Sequence, residues 1–91
     1  MAGDVLMMSK SQMEQLAANF ARQKETTENV ISNIQAGIDS TTWQGGRSDR
    51  FRSKWETEFR PSLRALCDAL SEYSTFISAE LQAGVSALDS V

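Results

Sequence analysis

Histidine, the commonest general base and metal ligand at neutral pH, does not occur in this sequence, and cysteine occurs once, at Cys67. A cysteine nucleophile would therefore lack its usual imidazole partner. A single thiol also permits no intramolecular disulfide and no cysteine-based zinc site. Cys67 reads as a small buried hydrophobe. The one glycine pair, Gly45-Gly46, has neither the lysine nor the preceding strand that a phosphate-cradling loop requires. The chemistry available is that of surfaces. The expectation is a non-enzymatic protein with no cofactor and no metal.

Charge narrows the partners. The net charge is -3, and binding a phosphate backbone wants clustered Lys and Arg. The one basic cluster, Arg47, Arg50, Arg52 and Lys54, is interleaved with Asp49, Glu56 and Glu58 and reads as a solvated helix face. No nucleic-acid partner is expected. At 41% hydrophobic and 23% charged, the chain has the composition of a folded protein, and 91 residues make one domain at most. Val5-Leu6-Met7-Met8 is too short an apolar run for a secretory signal, and Lys10 is the first basic residue, so export would proceed without a cleavable leader. Nothing approaches the roughly 20 apolar residues of a membrane span.

The elements that position these residues are two helical arms about a central break at Trp43-Gln44-Gly45-Gly46. The first helix is expected over about 9–39. Met13, Leu16, Ala17, Phe20, Ile31, Ile34 and Ile38 share one stripe, with Leu6 aligned upstream and Lys24 and Thr27 forming a polar waist. Ser9 with Gln12, and Ser11 with Glu14, both have capping-box spacing. The turn occupies 40–46, and the second helix about 47–88. There Phe51, Trp55, Phe59, Leu63, Leu66, Leu70, Tyr73, Ile77, Leu81, Gly84 and Leu88 step by three or four. The stripe continues in phase across Pro61, which predicts a kink; a full break would make Pro61 the first residue of a third helix.

Arms of about 45–60 Å side by side bury only the strip between them. Phe51, Trp55, Phe59 and Phe76, added to the leucines, exceed what one neighbouring helix can cover. The predicted fold is therefore all-α: an antiparallel two-helix hairpin that dimerises into a four-helix bundle. Its core and dimer stripe would comprise Phe20, Ile31, Ile34, Phe51, Trp55, Leu63, Leu66, Leu70, Tyr73 and Ile77.

Trp43-Gln44-Gly45 at the middle of a chain of this length, between two amphipathic helices, resembles the WXG family of type VII secretion substrates, the early-secreted-antigen-like proteins. Phe51 and Trp55, at +8 and +12 from Trp43, fit places where that family often carries bulky apolar residues. The resemblance implies a secreted protein, exported as a folded dimer by an FtsK/SpoIIIE-type ATPase. It further implies recognition through Trp43 and Gly45 of one subunit beside the C-terminal segment of the other. A family pattern of hydrophobic and acidic residues can be laid onto Phe76, Glu80, Ala83 and Ala87, with Val85, Leu88 and Val91 nearby as fraying helix or as an ATPase-docking end. The tyrosine-based secretion motif of actinobacterial members is not met, because Ile77 occupies the fourth place after Tyr73. That departure favours a paired WXG-type partner chain over self-pairing. The competing reading is an intracellular helical adaptor or chaperone-like hairpin that shares only the turn.

Overall fold

The computed structural model describes residues 8–89, with side chains through residue 85. Leu6 and Val91 lie outside the described residues. Helix α1 spans Lys10–Ser40, α2 Gly46–Lys54 and α3 Arg60–Asp89; a π-helical turn, Trp55–Phe59, joins α2 to α3 in one continuous arm. Among the described residues the structure is an all-α hairpin measuring 68 × 18 × 15 Å. Cross-arm bonds link Gln35 to Trp55, Lys24 to Cys67 and Ala17 to Ser74, so the arms run antiparallel.

Local chemistry fixes the helix ends. The Ser9 hydroxyl accepts the Gln12 amide at 3.3 Å, which selects Ser9 over Ser11 as the N-cap of α1. At the other end the hydroxyls of Ser40 and Thr41 both donate to the Gly37 carbonyl. Those bonds satisfy a carbonyl of the last turn, and the β-branched Thr41 leaves the helix in extended conformation.

Most of the buried and half-buried residues follow one line between the arms, with Glu28, Ala69, Ser71 and Val85 at its margins, and define the seam. On α1 these are Met13, Ala17, Phe20, Lys24, Thr27, Ile31, Gln35 and Ile38. On the second arm they are Ser48, Arg52, Trp55, Arg60, Leu63, Cys67, Leu70, Ser74, Ile77, Leu81 and Gly84. Both series step by three and four except for the interval from Trp55 to Arg60, where the π turn sits. There the Arg60 amide donates to the Trp55 carbonyl, an i to i+5 bond that absorbs one extra residue. Pro61 follows directly. Its ring cannot donate an amide and would crowd the Thr57 carbonyl; the wider turn relieves that crowding, and the Ser62 hydroxyl donates to the Glu58 carbonyl at 2.7 Å. The arm passes Pro61 without a break.

Within the single hairpin, the seam takes only part of the stripe expected for core and dimer together. Leu66 and Tyr73, expected at the core, are not at the hairpin seam; Cys67 and Ser74 are, and on α1 Gln35 takes the place expected for Ile34. Phe51 also turns outward, beside seam residue Arg52. The π turn lengthens one interval, placing Arg60 rather than Phe59 at the seam. Downstream, the close approach of the arms takes the small residues Cys67 and Ser74 in place of Leu66 and Tyr73. At Gln35 and Arg52 a polar side chain takes the seam because it finds hydrogen-bond donors or acceptors on the other arm. Ser74 Oγ reaches the main-chain carbonyl of Ala17 at 2.9 Å, which a tyrosine there would prevent. Phe20, Ile31, Trp55, Leu63, Leu70 and Ile77 do lie on the seam, with Ile31, Trp55 and Cys67 forming the buried centre.

The displaced large residues follow one rule. Leu16, Val30, Ile34, Phe51, Phe59, Leu66, Tyr73 and Phe76 are all exposed, and each immediately precedes a seam residue. One residue before the seam is the same rotational offset in every case. In antiparallel helices that offset falls on the same side of the pair. The hairpin thus has one apolar side, on which Phe20 and Tyr73 stack with centroids 5.7 Å apart. Residues one place after the seam include Glu14, Glu25, Glu28, Asp39, Asp49, Glu56 and Asp68 together with Ala18, Ala21, Ala36 and Arg64. The opposite side therefore lacks a stripe of large apolar residues and carries an acidic excess.

Candidate interaction site at the helix turn

Residues 41–45 connect the arms, and the chain could not re-enter a helix here without glycine. Gly45 has φ 115 and ψ 175, the only positive φ among the described residues. That region is accessible essentially to glycine alone. The Gly45 carbonyl then accepts the Asp49 amide at 3.0 Å and opens α2. Gly46, by contrast, is ordinary helix.

The polar network beneath the turn is the feature sequence reasoning missed. Ser48 is 1% exposed, and its hydroxyl donates to the Trp43 carbonyl at 2.8 Å. The same oxygen accepts from Arg52 Nε at 3.1 Å. The two terminal nitrogens of Arg52 donate across the hairpin to the carbonyls of Ile38, at 3.0 Å, and Thr41, at 3.1 Å. One guanidinium therefore ties two carbonyls at the end of α1, of which Ile38 O also accepts the Thr41 amide, to the first turns of α2. Arg52 belongs to the cluster expected as a solvated face. No periodicity flags its role, because its acceptors are main-chain atoms brought near by the turn; the only sequence signal is the i, i+4 pair Ser48 and Arg52.

Above this network the Trp43 ring packs against Phe51, with centroids 5.7 Å apart and planes tilted by 48°. Trp43 remains 45% exposed. A shallow groove beside it is lined by Ile34, Gly37, Ile38, Thr41, Phe51 and Arg52. Trp43 and Gly45 thus form the tip of the rod, continuous through Ile34 and Phe51 with the apolar side.

The C-terminal candidates lie elsewhere. Phe76, Glu80 and Ala83 are exposed on α3, toward the end opposite the turn. Ala87 and Leu88 continue the helical backbone; their side chains lie outside the described residues. Within one chain, α1 and α3 separate these positions from Trp43, so the hairpin alone does not bring the two groups together.

A family model described as proteins of 100 residues with WXG matches residues 5–90. The chain belongs to the WXG100 family. No curated protein and no solved structure matches it. Membership supports a secreted substrate of the WXG type in general terms, from a family of small helical secreted proteins that are not enzymes. WXG100 proteins typically pair with themselves or with partner chains, and members leave the cell through type VII systems. No helix among the described residues is long and apolar enough to cross a membrane.

Proposed function

We propose that this WXG100 chain is a non-catalytic substrate of a type VII, ESX-like secretion system, exported as a folded dimer by an FtsK/SpoIIIE-type ATPase. The observation that carries this reading is the Trp43-Gln44-Gly45 turn, held in shape yet half exposed at the tip of a rod. The one-sided apolar face supports pairing: Ile34, Phe51, Leu66, Tyr73 and Phe76 offer a stripe that a second hairpin would cover in a four-helix bundle. The reverse sides offer no comparable apolar stripe, so assembly stops at two hairpins.

The recognition element is composite. Phe76, Glu80, Ala83, Ala87 and Leu88 sit far from Trp43 in the same chain, and an antiparallel second hairpin would carry its own C-terminal segment to the turn. Ile77 at the fourth place after Tyr73 leaves the tyrosine-based motif unmet, which favours a heterodimer whose partner supplies it.

The test is detection of the chain in culture medium, with and without the gene for the membrane ATPase, for the native protein and for Trp43→Ala. Trp43→Ala should keep helicity and pairing, since a half-exposed ring at a bundle end contributes less packing than a buried leucine, and should lose export. Retention of the native chain in cells regardless of the ATPase would turn the reading to an intracellular adaptor. Normal export of Trp43→Ala would remove the tryptophan from recognition.

A further inference from the structure

We infer that Ser48 and Arg52 are positioning residues for recognition at the turn, presetting the backbone from which Trp43 projects; the inference rests on the export reading above. The geometry makes the case. Main chain on both sides of the exposed ring is restrained by this pair. Thr41 O is held by an Arg52 terminal nitrogen, and Trp43 O itself is held by the Ser48 hydroxyl. Arg52 Nε locks that hydroxyl, and its remaining terminal nitrogen anchors the assembly to Ile38 O at the end of α1. Every bond in the set has a donor and an acceptor facing each other at 2.8–3.1 Å.

The burial pattern separates holding from contact. Ser48 is almost wholly buried, so an incoming protein cannot touch it. Arg52 is half-buried and lines the groove beside Trp43, with its guanidinium nitrogens already committed to Ser48 and to two carbonyls. Trp43 and Phe51 present exposed aromatic surfaces at the tip. Apart from the Thr41 hydroxyl and amide bonds to the Gly37 and Ile38 carbonyls and the Trp43–Phe51 ring contact, the connection has few restraints. Residues 41–44 have no regular structure, and a would-be Cβ at Gly45 has nothing within 4 Å. A tryptophan on so lightly packed a segment would sample several orientations. A partner that accepts one orientation would then bind with an affinity reduced by the fraction of time that orientation is populated.

Two variants test this without depending on one surviving substitution. Ser48→Ala removes the link to the Trp43 carbonyl while leaving the Arg52 charge in place. Arg52→Lys keeps the charge but cannot span three acceptors in a planar fork. Each is compared with the native chain and Trp43→Ala by culture-medium immunoblot under limiting ATPase. Circular dichroism and sizing serve as controls, and the readout specific to positioning is the NMR order parameter of the Trp43 indole N–H. Both variants should stay helical and paired, show a more mobile Trp43 indole, and lose export severalfold. If the turn holds its native shape about a tenth of the time, the loss is about tenfold. Normal export of either variant while Trp43→Ala is blocked overturns the inference. Reduced export with the indole as ordered as in the native chain overturns it too, since the residues would then act by contact or through global stability. Normal export of Trp43→Ala instead locates the failure in the recognition reading.

Discussion

Replacing Gln35 with leucine should destabilise the hairpin, although the change makes a seam position apolar. Gln35 Oε1 accepts two hydrogen bonds, from the Trp55 indole Nε1 at 2.8 Å and from Arg60 at 3.1 Å. The two donors flank the π turn, so one amide oxygen serves the seam where its spacing jumps from Trp55 to Arg60. Trp55 is 5% exposed, and losing its acceptor strands a buried donor, which costs about 1–3 kcal/mol. Arg60 loses less, because it is half exposed and keeps Glu56 at 2.8 Å. Against this, leucine at a partly exposed site recovers roughly 1 kcal/mol of apolar burial at most. The net expectation for Gln35→Leu is about 1–2 kcal/mol of destabilisation. Urea titration followed by circular dichroism, at one fixed protein concentration because the proposed pairing would be linked to folding, measures it. A double-mutant cycle with Trp55→Phe isolates the cause: without the indole donor, Gln35→Leu should be neutral or favourable, a coupling of about 1 kcal/mol or more. A Gln35→Leu chain as stable as the native one, or additive behaviour in the cycle within about 0.3 kcal/mol, would refute the reasoning.

Three further outcomes are expected. Gly45→Ala should cost about 1–3 kcal/mol from backbone strain alone, whereas Gly46→Ala should be neutral or mildly stabilising; a Cβ at either position meets nothing within 4 Å, so thermal melts of the pair separate conformation from crowding. Ile31→Ala, at 2% exposure, should cost about 2–5 kcal/mol at any protein concentration, while Leu66→Ala, at 47%, should approach that range only where hairpins pair, appearing as weaker association in analytical ultracentrifugation. Pro61→Ala should raise the melting temperature slightly, the gain held to about 1 kcal/mol because the π turn has already relieved most of the clash; a fall would mean that the fixed φ of Pro61 holds the arm in register.

The hairpin was legible in the sequence because two long apolar periodicities met at a single break, and Ser9, Trp43 and Gly45 carried recognisable cap and turn chemistry. The face of each arm was less legible. Ranking positions by apolar size favoured Ile34, Leu66 and Tyr73. A seam between two close backbones instead takes Gln35, Cys67 and Ser74, and a π turn has no signature that 3.6-residue periodicity can register. Pro61 was the visible trace of that irregularity, but its effect appears in the preceding five residues. At the turn, Trp43 and Gly45 could be singled out by type. Ser48 and Arg52 could not, because what they bind is main chain brought near only by folding.

The cross-arm bonds also set an order in time. Arg52 to Ile38 spans 14 residues, Trp55 to Gln35 20, Cys67 to Lys24 43 and Ser74 to Ala17 57. Forming the last of these from an open chain costs about 1.2 kcal/mol more loop-closure entropy than forming the first. Arm pairing therefore starts at the tip and closes outward, each contact shortening the loop the next must close. Ser48→Ala should slow refolding in stopped-flow experiments, and Ser74→Ala should mainly speed unfolding. Equal effects of the two on both rates would rule out that order. A hairpin that closes from its tip also opens from the other end, so the paired stretch around Ala17 and Ser74 parts first while the tryptophan turn is still formed.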